Sequence, residues 1–396
     1  MTTRTAEPEW LTERRRDGAA LASELELPTK KDKGWEFTDL SGLDLEAFEA
    51  APATVTVEIG DDGAAGELPA GVTVLSLAEA LGSHEDLVRE RLGTVVPSRD
   101  AFVARNEAAW SDGLLVHVAR GVALEEPIKL RLALDREGAA VNWRTLVVLE
   151  EGAEAEVWEE WRSDEDEVEG LLNAVTELAV GDGATLRYMS LQDISEGAWI
   201  FATQRAEVGR DGTLDWTALG LGSGRGKVRM ETKLAGPGSE AKVTGGYAGG
   251  PGQHLDYDTL QEHAAPNTVS DLAFRGVLGD RATSVWRGMI KVDRAAQQTD
   301  AFQENRNLLL SPEAHADAIP GLEILADDVR CTHAAAIAQI DADQLFYLRS
   351  RGLHDGVAKR MVIDAFMQEL VARVGAGALH EEVSGALEAR LAELLD

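Results

Sequence analysis

The 396-residue chain carries a single cysteine, Cys331, and a histidine, His333, two positions later, in the stretch ADDVRCTHAAAIAQIDADQLFYLRSRGL, residues 326 to 353. Thiolate and imidazole are both good ligands for iron, and each must be deprotonated at the coordinating atom to bind it. An iron-sulfur cluster normally takes four protein ligands, most often thiolates, and a structural zinc site also takes four. This pair supplies only part of such a set, so metal chemistry here has to be shared with another subunit. If residues 329 to 335 form a strand, side chains repeat every two residues and Cys331 and His333 leave the same face. The bland alternative is a buried cysteine packing as a small hydrophobe beside a solvent-facing histidine.

Other chemistry is thinner. Glu323, Asp327 and Asp328 could assist iron entry, although a solvated charged turn explains them as well. His315 and His263 are isolated histidines of the kind that ordinary hydrogen bonds satisfy. The glycine-rich GLGSGRGKV (220 to 228) fails as a phosphate loop, which needs glycine where Leu221 stands and Ser or Thr where Val228 stands. GGYAGGPGQH (245 to 254) reads as a flexible turn between strands. Neither a zinc-protease HExxH nor a GxSxG nucleophile elbow occurs. The pair Asp256 and Asp258 would suit a polysaccharide-cleaving β-helix enzyme, but such pairs arise by chance in an acidic chain.

The balance of 70 acidic against 38 basic residues, a formal charge of -32, argues against nucleic acid or an anionic membrane as partner. The N-terminal MTTRTAEPEWLTERRR has no apolar signal core, and no apolar run reaches the length of a membrane span. A cytoplasmic location is the expectation. One cysteine leaves no intrachain disulfide framework.

The elements that must position the pair follow from periodicity. Trp10, Leu11, Ala20, Leu21 and Leu25 predict an amphipathic helix over roughly residues 8 to 25, limited by Pro28. Strand-like ATVTVEI (53 to 59) and GVTVLSL (71 to 77) precede a helical stretch near 78 to 92. From about 110 to 330 period-two strands dominate, and turns marked by Gly152, Gly183, Gly212, Gly238 and Asp280 recur at spacings of 31, 29, 26 and 42 residues. A loose period of about thirty residues suggests stacked units. Sheet pattern alone does not separate a β-helix from a sandwich. Near the end, Asp341 and Gln344 predict a capping box opening a helix that stops at Gly352. Val357, Met361, Ala365, Phe366 and Leu370, then Val383, Leu387, Leu391 and Leu395, predict two further helices packing within the tail.

The runs QQTDAFQENRNLLLS (297 to 311), PGLEILADDVRCTHAAA (320 to 336) and DQLFYLRSRGL (343 to 353) occur in an order that resembles the SufD chains of the SufB/SufD family, scaffold subunits of the SUF iron-sulfur cluster assembly machine. LPTKKDKGWEFTDL (27 to 40) is similar to the family's opening motif, and YDTLQEHAAPNTVSDLAFRGVL (257 to 278) to the stretch before its C-terminal core. The likeness is weakest between residues 41 and 140. One departure is Ala334, where the family usually has glycine after the histidine, which puts a turn or close backbone approach at that point in question.

The resemblance implies a mostly β protein with a right-handed parallel β-helix (solenoid) core at 110–338. An N-terminal mixed α/β region (1–109) and a C-terminal helical region (339–396) that docks a SufC-like ATPase would flank it. It further implies a non-catalytic scaffold, binding no nucleotide itself, that forms a heterodimer with a SufB-like subunit; whether it can pair with itself when that partner is absent is left open. Cys331 and His333 would then lie at the shared interface and hold iron or a transient iron-sulfur cluster, with a role in iron entry. A SufB-like homodimeric scaffold is the rival within the family, and a lone cysteine argues against it. A β-helix carbohydrate-active enzyme and a purely architectural solenoid are the rivals outside it.

Overall fold

The computed structural model describes residues 7–60, 68–98, 100–165 and 167–395; the first six residues of the N-terminal stretch MTTRTAEPEWLTERRR lie outside them. Period-two alternation through the middle of the chain gives strands with one apolar face, and these stack in parallel into a solenoid of about eight turns. Each turn contributes one strand to each of two sheets, ten-stranded and nine-stranded, so hydrogen-bonded neighbours are alternate strands in sequence. The first turn comprises Asp112–Val118 and Ile128–Ala133, and the last His315–Ile324 and Val329–Gln339. The parallel β-helix implied by the resemblance is therefore the observed architecture.

Register is set at the corner that leads from the ten-stranded to the nine-stranded sheet. Gly121, Gly152, Gly183, Asp211, Gly238, Asn267 and Gln298 all hold positive φ there, 27 to 31 residues apart. The backbone N–H of each donates to a carbonyl in the same corner of the next coil, Gly152 to Asp182 and Gln298 to Asp328 among them. Two sequence markers are corrected. Asp211 rather than Gly212 takes the left-handed position, which Asp and Asn tolerate. Asp280 belongs to the opposite corner together with Gly252, which explains its irregular spacing.

The glycine-rich words have structural uses. In GLGSGRGKV, a β-carbon at Gly222 would sit 2.1 Å from the Ile194 carbonyl oxygen, so glycine lets this coil pass close beside the preceding one. GGYAGGPGQH is not a flexible turn over most of its length: residues 245–249 finish the strand Glu240–Gly249, with Tyr247 fully buried, because the alternation continues through them.

The two ends of the solenoid differ. At the first turn, Thr54–Ile59 pairs antiparallel with Ile128–Ala133 and Val72–Ser76 with Asp112–Val118, closing both sheet edges. No strand does this at the last turn among the described residues. Outside the ten-stranded sheet lie α1 (Glu9–Glu24), α2 (Leu77–Ser83), α3 (Glu85–Arg91) and α4 (Ala101–Ala109). The single helix expected near 78 to 92 is thus two, meeting at His84. The sequence reading did not include α4, which opens on Asp100, whose carboxylate accepts from the N–H groups of Phe102 and Val103. A buried guanidinium, Arg144, holds α4 to the sheet through Glu107 at 2.7 Å and reaches Glu177 at 3.4 Å.

After the last strand come α5 (Ala342–Ser350), α6 (Asp355–Val374) and α7 (Ala378–Glu393). Asp341 caps α5 by accepting from the Asp343 N–H at 2.8 Å, and Gly352 (φ 94°) follows its end. The apolar faces of α6 and α7 lie on the outside of the nine-stranded sheet: Ile363, Met367, Leu370 and Val371 join Leu219, Ala248, Val277 and Leu308 in one cluster. This corrects the expected stripe on α6. Val357 and Met361 are about half exposed, at 49% and 48%, because the sheet selects a face centred on Ile363 and Leu370. No helix among the described residues is long and apolar enough to cross a membrane.

Candidate functional site at the open end of the solenoid

At the last turn the alternation that fills the interior elsewhere is left facing outward along the axis. Ala316 and Ala318 on one strand, and Val329 and Cys331 on the other, pack onto the coil beneath. Residues of the same parity, Leu322, Ile324 and Ile337, are 37 to 45% exposed. The strand Val329–Gln339 pairs in register with Thr299–Leu309, placing Cys331 on Ala301 and His333 on Gln303. Both candidate ligands therefore share the lumen-facing side, as the spacing predicts. Ala334 continues this strand, so the departure from the family word produces no turn.

Cys331 is half-buried against Ile290, Val292, Ala296 and Ala301, while His333 is exposed. Desolvation raises the Cys331 thiol above its ordinary pKa, and the nearby Asp300 carboxylate adds to the shift. At neutral pH it stays a thiol until a cation or metal stabilises the thiolate. Among the described residues, no three His, Cys, Asp or Glu side chains converge as a metal site. Cys331 and His333 are two donor-type side chains on one face of this strand.

Backbone polarity at this end is unequal. In a parallel ladder alternate residues bond to alternate neighbours. Ile340 N–H donates to Leu309, so the odd-numbered residues Cys331, His333, Ala335, Ile337 and Gln339 turn their N–H and C=O to the free edge. On the other strand His315 N–H donates to Ala282, which leaves the even-numbered residues on the free edge, and one of these is Pro320. Proline has no N–H, so this edge is interrupted where its neighbour is complete.

The remaining sequence candidates separate. Asp328 accepts from the Gln298 side-chain amide, and Glu323 and Asp327 are exposed on the last turn. His315 pairs with Asp317 at 3.1 Å on the outer face. His263 is fully buried, bonded to Thr268 at 2.7 Å and Ser270 at 2.9 Å, and burial lowers its pKa to about 4. Asp256 is buried against the Lys227 ammonium at 2.7 Å beneath the N-terminal motif, which occupies it structurally. Gln303, Asn305 and Asn307, all buried and facing the lumen, were missed; the alternating amides of QENRN were the available signal.

Comparison with known proteins agrees with this architecture. The family model "SUF system FeS cluster assembly, SufBD core domain" matches residues 132–366, and "SufBD protein N-terminal region" matches 57–130. An iron-sulfur cluster assembly SufBD family protein of Mycobacterium tuberculosis is 30% identical over 377 residues, covering 92% of this chain and 90% of that protein. A SufBD family protein of Staphylococcus saprophyticus is 29% identical over 299 residues, covering 75% and 64%. The iron-sulfur cluster assembly protein SufB of Bacillus subtilis is 28% identical over 302 residues, covering 75% and 64%. A solenoid matched along most of its length by the core-domain model, and a relative 30% identical over 92% of the chain, establish that the chain belongs to the SufBD family of iron-sulfur cluster assembly proteins.

Proposed function

We propose that the chain is a SufD-like, non-catalytic scaffold that pairs through the open end of its solenoid with a SufB-like subunit and presents Cys331 and His333 to iron or a nascent cluster shared across that interface. The observation that carries this reading is the contrast between the ends: one is closed by antiparallel strands, and the other exposes apolar side chains, a complete row of edge N–H groups and two donor-type side chains on one face. Exposed strand edges are templates for pairing. A strand added to Val329–Gln339 would place its own lumen-facing side chains about 4.8 Å above Cys331 and His333. Without the SufB-like partner, a second copy fits the same edge.

A SufC-like ATPase would dock on the C-terminal helices. α5 buries none of its residues, and Phe346, Tyr347, Val357 and Met361 leave an apolar ridge on α5 and α6. Nucleotide would bind that partner, whose states must favour different interface geometries to move the scaffold. The reducing cytoplasm suits a site that depends on a free thiol. The similarity to a protein named SufB favours one second reading, a homodimeric SufB-like scaffold, against which the single cysteine weighs.

The test is to co-express the chain with SufB-like and SufC-like partners, purify the complex without oxygen, and measure iron and sulfide per complex for wild type and His333→Ala. Loss of cluster from an intact complex supports the site. An intact complex with unchanged cluster removes the ligand role, and failure to form any complex overturns the pairing. A homodimer that accumulates cluster alone supports the second reading.

A further inference from the structure

Gln303 lies on the strand Thr299–Leu309, one coil inside the open end and in register with His333. It is fully buried, and its Nε2 donates to the carbonyls of Gly288 at 3.3 Å and Gly321 at 3.0 Å across the lumen. Reversing the amide would set its oxygen against those two carbonyl oxygens, so the pair of bonds fixes its orientation. Oε1 is left buried with no donor. The lumen makes room for it, since a β-carbon at Gly288 would fall 2.5 Å from that oxygen.

A buried acceptor without a donor is uncommon and calls for a partner. Trp286 Nε1, in the same coil, also lacks a partner but is not bonded to Oε1. His333 is the other candidate. Paired side chains on parallel strands stack at about 4.8 Å, and no hydrogen bond or ion pair occupies the His333 ring among the described residues. Histidines that bind metal usually donate their second ring N–H to an acceptor, which sets the tautomer and aims the free nitrogen.

We infer that Gln303 is the positioning residue of His333: the two are not hydrogen-bonded in the uncovered chain, and when a partner covers the open end a ring N–H of His333 turns to donate to Gln303 Oε1, which holds the imidazole in one tautomer with its other nitrogen free toward the partner. This inference rests on the reading of the open end as the cluster-assembly face.

The experiment compares Gln303→Met, which removes the acceptor, with Gln303→Glu, which keeps an oxygen; both lose the Nε2 bonds. In the three-protein complex, with 15N-labelled histidine in this chain alone, long-range 1H–15N spectra should show one His333 tautomer in wild type and Gln303→Glu, and a mixture in Gln303→Met. In the same complex, iron bound should fall about 10- to 100-fold for Gln303→Met and be largely restored in Gln303→Glu. A mixed tautomer in wild type, or one unchanged in Gln303→Met, overturns the inference. So does equal loss of iron in both variants, which would assign the effect to the lost amide donor. If His333→Ala abolishes cluster formation while Gln303→Met does not, positioning fails and the site stands. If His333→Ala has no effect, the site reading itself fails.

Discussion

Thr38, in the N-terminal motif, and His254, on a strand of the ten-stranded sheet, hydrogen-bond at 3.1 Å although 216 residues separate them. The Thr38 hydroxyl donates to Asp256, so it accepts from His254 Nε2–H, and His254 Nδ1 in turn accepts from Thr283 at 2.8 Å. Lys227 completes the chain on Asp256 at 2.7 Å, with its ammonium 5.6 Å from the Trp35 ring. The segment LPTKKDKGWEFTDL is thus a strap latched to the outer face of the solenoid. Thr38→Val removes both bonds, and the expected loss is about 1–3 kcal/mol, with faster proteolysis in the TKKDKG segment. Denaturant melts and limited proteolysis check this, and wild-type values in both would show the latch to be unnecessary.

His263 predicts an acid-sensitive core. Burial lowers its pKa from 6.5 to about 4, so the folded state holds it neutral while the unfolded chain takes up a proton below 6.5. Its contribution is complete above pH 6.5 and is lost as pH falls through 4, about 3 kcal/mol in all at 1.36 kcal/mol per pKa unit. Desolvation lowers His254 in the same direction, so it too removes stability as pH falls below 6.5. Urea unfolding of wild type and His263→Asn between pH 4 and 7 should show a shallower dependence in the variant; parallel profiles would exclude His263 as a source.

Glu159 is buried in the lumen, with no ion pair among the described residues, and accepts from Trp143 Nε1, Trp161 Nε1, Thr145, Thr176 and Tyr188. Five donors converge on one carboxylate. Glu159→Leu removes this acceptor from all five, although Trp143 Nε1 keeps its 2.9 Å bond to the Thr145 hydroxyl, and the expected cost is about 3 kcal/mol or more, with Glu159→Gln intermediate because one oxygen remains. Equilibrium unfolding orders the three proteins, and a leucine variant as stable as wild type would contradict the packing account.

The unequal edges of the last turn predict opposite effects of proline. Ala335→Pro removes an N–H that serves no ladder bond, so the isolated chain should melt close to wild type while complex formation with the SufB-like partner is lost. Pro320→Ala restores an edge donor on the other strand and should increase self-association. Sedimentation velocity reads both. Unchanged pairing in Ala335→Pro would mean that the partner does not add to the edge of Val329–Gln339.

The sequence by itself determined the local pattern of this protein. Period-two alternation defined the strands and put Cys331 and His333 on one face, the recurrent turn residues carried the repeat, and the family words announced the β-helix. Those signals are local, because side-chain alternation and left-handed turn positions are written in neighbouring residues. What lies beside what was decided by the tertiary structure. That Thr54–Ile59 and Val72–Ser76 close one end, that Pro320 falls on a free edge, and that Gln303 sits beneath His333 all depend on which strand pairs with which, and in what register. The face of α6 was likewise set by the sheet it covers, which turned Val357 and Met361 outward despite their helical spacing. Periodicity specifies a face, and only long-range packing specifies what covers it.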